Sequence, residues 1–175
     1  MNRWERYGLL ALLAEKMHEH NCILGKTALQ KLIYLAKVLS NIGVDYDYGL
    51  YIYGPYSHEL SADFEYLTAV GVLESEFKDY GTYGGYEIRP GENIREAIDK
   101  AKDFIASSDK EVERIIERFG GMNARELELI ATVVYLNHEE GLKGTILPER
   151  VKSIKPHFSM QEIEKCIDEM KEFIN

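Results

Sequence analysis

Ser57, His58 and Glu59 stand side by side in the stretch "YIYGPYSHEL", and these are the residue types of a nucleophile, a base and an orienting carboxylate. Their spacing argues against that chemistry. Adjacent residues at a helix start point about 100° apart, whereas a triad needs three side chains converging within hydrogen-bond reach. Ser57 reads instead as a helix N-cap and Glu59 as a first-turn acid at the positive end of the helix dipole. His18, His20 and Cys22 in "HEHNC" form the metal candidate. Residues two apart on a helix do not face each other, and the sequence supplies no third or fourth donor of known position. No catalytic, cofactor or metal residue is therefore assigned. "GTYGG" is glycine-rich but lacks the Lys-Ser/Thr and the following helix of a phosphate-binding loop, so it reads as a hairpin tip. The surplus that remains is tyrosine, at 46, 48, 51, 53, 56, 66, 80, 83 and 86. Strand propensity and core packing account for part of it. Large, stiff amphipathic side chains also suit an interface.

Charge narrows the partners. Residues 1–90 hold 8 Lys+Arg against 12 Asp+Glu, and residues 91–175 hold 13 against 18, so neither half is basic. Such a chain repels phosphate at long range, which opposes nucleic acid. No apolar run approaches the roughly 18–20 residues of a membrane span. "MNRWERYGLL" leads on without a small-residue cleavage site, and two distant cysteines form no CxxC motif. These features predict a cytoplasmic protein with reduced thiols and no membrane partner.

The elements that position these residues follow from periodicity. A first helix runs from Arg3 to His20 on Leu9, Leu10, Leu12, Leu13 and Met17. A second begins at Thr27 with "TALQ" in capping-box form and stops near Gly43. "VDYDYGLYIYG" alternates as one strand, and Pro55 fixes a sharp exit into the helix "HELSADFEYLTAV". That helix sets Leu60, Phe64, Leu67 and Val70 inward and ends at Gly71. A β-hairpin covers about residues 72–89. Ile94, Ala97, Ile98, Ala101 and Ile105 predict one further helix, and Val112, Ile115, Ile116 and Phe119 another. "FGGMN" is a hinge, Asn123 with Glu126 caps the next helix, Pro148 opens a short one, and Ser159 with Glu162 caps the last. The expected fold is mainly α with a small β-hairpin. It comprises a winged-helix-like domain over residues 1–90 and a helical C-terminal region over 91–175, the latter compatible with a trihelical unit at 123–175.

The pattern "LQKLIYLAKVL … YIYGPYSHELSADFEYLTAVGVLE" resembles the YwgA-type proteins of bacteria and archaea. More distantly it is similar to the Panacea (SocA-like) antitoxin-associated domain, which carries a "LQKLLYL"-like helix and a later "YGP". Gln30, Lys31, Tyr34, Tyr53, Gly54 and Pro55 are the shared positions. The Panacea pattern has an aliphatic residue after the proline where this chain has Tyr56, so the YwgA type is the better match. The resemblance implies a fold and an antitoxin-like or regulatory role, without a reaction.

The reading that follows is a non-enzymatic protein-interaction module, self-associating as a dimer or paired with a protein partner. Tyr51, Tyr53, Tyr56 and Tyr66 are the expected anchors, and Asp63 and Glu65 the expected attraction for a basic patch. The alternative is a winged-helix transcriptional regulator. Against it, residues 56–77 carry five acids and no Lys or Arg, where a recognition helix would meet phosphates. Lys78 and Arg89 on the wing, or Lys26, Lys31 and Lys37 brought together in a dimer, are the cations it would have to use.

Overall fold

The computed structural model describes residues 1–79, 81 and 84–174. Among them are eight helices and two short antiparallel hairpins: α1 (Arg3–Glu19), α2 (Lys26–Leu39), β1 (Gly49–Tyr51), β2 (Gly54–Tyr56), α3 (His58–Ala69), β3 (Leu73–Asp79), β4 (Gly84–Pro90), α4 (Ile94–Lys100), α5 (Lys102–Phe119), α6 (Ala124–His138), α7 (Ile146–Ile154) and α8 (Met160–Glu169). The chain is thus mainly helical, as its periodicity predicts. The glycine-rich tip between β3 and β4, with Tyr80 and Tyr83, lies outside the described residues apart from Gly81.

Three helix starts follow the local rule. Asn123 accepts from the Arg125 and Glu126 amides while Glu126 reaches back to the Asn123 amide, and Ser159 with Glu162 does the same for α8. Asn2 and Glu5 close an equivalent box on α1. The predicted box at Thr27 does not form. The N-cap of α2 is Gly25, without a side-chain bond, and Thr27 lies inside the helix. Gln30 is drawn inward instead, where its amide donates to the Ser57 carbonyl and accepts from the Ser57 amide, both at 2.9 Å. A buried backbone with two unmet groups is a stronger claimant for that side chain than one exposed helix end.

The stretch predicted as one strand is a hairpin. Gly49 pairs with Tyr56, Leu50 with Pro55 and Tyr51 with Gly54, leaving Ile52 and Tyr53 as a two-residue turn. Gly54 takes φ +91°, which lets the chain reverse before Pro55 rather than after it. Two smaller corrections concern helix faces. Val70 lies at the end of α3 and is exposed. The helix expected over residues 94–105 breaks at Ala101 (φ −111°, ψ 17°), which places Ile105 in α5.

α1 is buried almost all round, between α3, α4, α5 and β4, and α2 packs on α5, α6 and β2. The apolar core is one contiguous cluster from Tyr7 in α1 to Ile174 beyond α8. At Gly8 the α1 backbone passes so close to the α4–α5 junction that a Cβ there would lie 2.4 Å from the Ala101 Cβ. Because both parts of the chain share that core, cleavage in the Gly120–Gly121 turn is expected to leave fragments that co-elute on gel filtration. Fragments that separate would show that the parts before and after "FGGMN" are independent units.

Candidate functional site

The residues singled out by the resemblance come together where the β1–β2 hairpin lies on α2 and α6. Lys31 of α2 is only 2% exposed and donates to the Pro55 carbonyl at 2.7 Å. From the far end of the chain Lys155, the C-cap of α7 and also 2% exposed, donates to the Ile52 carbonyl. It also pairs with Glu128 of α6 at 2.7 Å. His157 approaches the same carboxylate at 3.4 Å. With Gln30 on Ser57, three long side chains hold the backbone of residues 52–57. Gly54 lets the hairpin settle this deep, since a Cβ there would meet Thr132 Oγ1 at 3.1 Å and Lys31 Cε at 3.3 Å.

Electrostatically the cluster is uneven, with two buried ammonium groups around one buried carboxylate. Burial, and then the neighbouring Lys155, pull the Lys31 amine down to about 8 despite the opposing pull of Glu128. Beside it Tyr34 stacks edge-on with Tyr48 and tilts against Tyr135. Among the described residues its buried hydroxyl, like the Thr132 hydroxyl, has no hydrogen-bond partner of good geometry, although the Glu139 carboxylate is near enough to act on the phenol. Burial pushes the Tyr34 phenol well above its ordinary range. Such groups are commonly served by an internal water.

This clamped hairpin presents an apolar tip to solvent. Tyr51 is 50% exposed, Ile52 80% and Tyr53 65%. Tyr51, Tyr56 and His58 form a ring cluster with centroids 5.0–5.6 Å apart, and the Tyr51 hydroxyl meets His58 Nε2 at 2.9 Å. The Tyr56 hydroxyl donates to Ser61 Oγ at 2.9 Å. Ser57, His58 and Glu59 do not converge. Ser57 is the cap of α3, accepting from the Leu60 amide, His58 turns to Tyr51, and Glu59 reaches the Asp47 amide and Arg6 on the other side.

The expected anchors divide into two groups. Tyr53, Tyr56 and Glu65 line a cavity of about 220 Å³ between α2, the hairpin and α3, and Tyr51 packs on Tyr56. Asp63 and Tyr66 occupy the opposite flank of α3. Asp63 accepts from the buried Tyr46 hydroxyl at 2.8 Å, and Tyr66 stacks on Tyr7 at 5.2 Å. Asp63 is therefore committed to the structure. In "HEHNC", His20 pairs with Glu113, which also takes Lys16. Among the described residues no group of three or more His, Cys, Asp or Glu side chains could hold a metal ion. No helix among them is long and apolar enough to cross a membrane.

Sequence reasoning passed over Glu128, Thr132 and Lys155. One signal was present: Glu128 is a lone carboxylate inside the apolar run "LELIATVVYL", and such a charge needs a buried partner. Lys155 carried no comparable mark, because a lysine between a helix and a proline reads as solvated.

No family model matches the chain. It is 28% identical over 152 residues to the protein named "Uncharacterized protein YwgA" of Bacillus subtilis (strain 168), which covers 86% of this chain and 87% of that one. The chain thus has a YwgA homologue spanning most of both sequences, in agreement with the resemblance that "LQKLIYL" and "YGPYSHEL" carry.

Proposed function

We propose that this chain is a non-enzymatic protein-interaction module of the cytoplasm, binding through the Tyr51–Ile52–Tyr53 tip and the adjoining Tyr56. The single observation that carries this reading is the contrast within one hairpin. Its backbone from Ile52 to Ser57 is fixed by Lys155, Lys31 and Gln30, while the side chains of three consecutive large apolar residues at its turn face solvent. An ordered backbone has already lost the freedom that binding would otherwise cost, so exposed aromatic anchors on it suit a hot spot. The simplest partner is a second copy of the chain in a dimer. An antitoxin-like pairing with another protein is the version that the Panacea resemblance favours. In both, residues 1–90 act as a winged-helix-like domain, with the helical region 91–175 packed behind it.

Sedimentation velocity and affinity capture from the native host test this. The Ile52→Ser, Tyr53→Ser double variant should unfold at the wild-type urea midpoint, because both side chains are exposed. Its association should weaken by about 30-fold or more, the scale of a lost hot spot. If wild type and variant sediment alike and retain the same proteins equally well, the tip is not an interface. Turnover of a substrate in a hydrolase or nucleotide screen would sink the non-enzymatic part.

A DNA-binding regulator is the second reading, favoured by the order α1–α2–α3 followed by the β3–β4 hairpin. It is opposed by Glu59 and Glu65 on the exposed surface of α3 and by Glu74 and Glu76 on β3. Lys78 and Arg89, the cations of that hairpin, are already engaged by Glu76 and Glu87. Salt-dependent, sub-micromolar affinity for duplex DNA would favour it over the tip.

A further inference from the structure

β3 is an edge strand whose outer side is open. Ile88 of β4 donates to the Leu24 carbonyl, so its amide points away from β3, and the facing Ile88 and Ser75 exchange no hydrogen bonds. Alternation along the ladder then turns the amides and carbonyls of Ser75, Phe77 and Asp79 outward, away from β4. Among the described residues no other backbone group receives them. On one face of this edge Phe77, 58% exposed, stands opposite Tyr86, with ring centroids 5.6 Å apart. On the other face Glu76 and Lys78 alternate in sign, and Glu76 lies directly opposite Glu87 of β4. Such an edge, unpaired and carrying an exposed aromatic side chain, is a template for a further strand.

We propose that β3 pairs antiparallel with β3 of a second copy of the chain, on a two-fold axis through Phe77. The outward groups then meet: Phe77 exchanges both bonds with its own copy, and Ser75 does so with the partner's Asp79. Charge selects this register from the others that the outward groups allow. Centred on Phe77, it sets Glu76 opposite the partner's Lys78 on both sides of the axis. A register centred on Glu76 or on Lys78 sets that charge against itself, and one centred on Ser75 sets Glu74 against Glu76, each unfavourable. Lys78 now contacts Glu76 of its own strand in solvent, a weak pairing that is readily exchanged for one across the axis. The Phe77–Tyr86 pairs of both copies would join in one aromatic row across a continuous sheet. Leu73, where β3 leaves the core, falls at opposite ends of that sheet, which keeps the helical bodies apart. The contact is isologous and closes at two copies. It is separate from the Tyr51–Tyr53 tip, and either surface can fail without the other.

Sedimentation velocity of the full chain tests the proposal. A short edge is a small interface, so a reversible monomer–dimer equilibrium is expected between about 5 and 500 µM. Glu76→Lys and Lys78→Glu each place like charges opposite one another on both sides of the axis, and each should weaken the dimer about tenfold or more. The double reversal restores opposite charges and should return it to within about threefold of wild type. Recovery of that kind separates lost pairing from lost folding. In hydrogen exchange the amides of Ser75, Phe77 and Asp79 should gain protection as concentration rises, while those of Glu76 and Lys78, bonded within the hairpin, should not change. A chain that stays monomeric throughout, as it would if the edge serves a different protein, overturns the proposal. So does a dimer indifferent to both single reversals. A dimer lost in the Ile52→Ser, Tyr53→Ser variant but kept in both reversals overturns it in favour of the tip.

Discussion

Replacing Glu128 by leucine is expected to destabilise the protein by about 3–5 kcal/mol, the range for leaving a buried charge without its partner. Among the described residues this carboxylate is the only acid in contact with Lys155, and Lys155 is as buried as Lys31. Without it, two ammonium groups share a low-dielectric region with only the Ile52 and Pro55 carbonyls to receive them. The lost solvation of the ammonium, rather than the worth of the pair itself, sets the size of the effect. The double variant Glu128→Leu, Lys155→Met should therefore recover most of the loss, because it removes the orphan along with its partner. Part of the deficit should persist, since Lys155 also holds the Ile52 carbonyl. Urea unfolding of both variants makes the measurement, with Glu76→Gln as comparison. Glu76 pairs with Lys78 in solvent, so its removal should leave the midpoint unmoved. A Glu128→Leu variant within about 1 kcal/mol of wild type, less than a single buried hydrogen bond to a charge contributes, would show that the cluster is far better hydrated than its burial indicates.

What the sequence disclosed follows the range of the interactions involved. The caps at Ser57, Asn123 and Ser159 each depend on residues three apart, and all three form where the spacing places them. The Asn2–Glu5 box obeys the same rule and stands at the start of the helix predicted from Arg3, ahead of the apolar stripe that begins at Leu9. The failures arise where a distant group competes. "TALQ" has the spacing of a cap, but Gln30 goes to Ser57, 27 residues away, because the backbone there is buried and has no other partner. "VDYDYGLYIYG" alternates like one strand, yet it folds back at Ile52–Tyr53, where Lys155 and Lys31 donate to the Ile52 and Pro55 carbonyls. Lys155 meets Ile52 across 103 residues, a distance over which no spacing rule operates. The candidate site was legible as a set of motif residues, and its physical basis, a charge cluster completed by the last helices, was not.

Lys31 gives that cluster a signature in pH. Its amine titrates at about 8 in the folded chain against 10.5 ordinarily, so folding lowers the pKa of a group whose charged form is the protonated one. Below pH 8 both folded and unfolded chains carry the proton, and the cost of burying the charge is borne in full. Between about 8 and 10.5 the unfolded chain keeps a proton that the folded chain has released. Stability rises with pH wherever the unfolded state binds more protons, so it climbs through this window. Buried Cys166 works in the opposite sense. Burial, and then Glu169, push its thiol from 9.0 up to about 12, so the unfolded chain ionises first above pH 9 and stability falls. Tyr34, Tyr46 and Tyr48, whose phenols burial raises above 10.0, add to that fall at higher pH. The wild-type curve should rise from pH 8 to 9, flatten, and turn down above 10. Lys31→Met removes one contribution and leaves the others, so the difference between the two proteins isolates it. That difference should move by roughly 3 kcal/mol in favour of wild type between pH 8 and 10.5, since each pH unit separating the folded and unfolded titrations is worth about 1.4 kcal/mol. At pH 7 the variant escapes the buried charge but abandons the Pro55 carbonyl, and these opposed effects keep it close to wild type. Urea unfolding of both proteins in half-unit steps from pH 7 to 10.5 measures the difference directly. A difference that stays constant across that range would mean that Lys31 keeps its proton in the folded chain, and that the hairpin rests on an ordinary charged lysine.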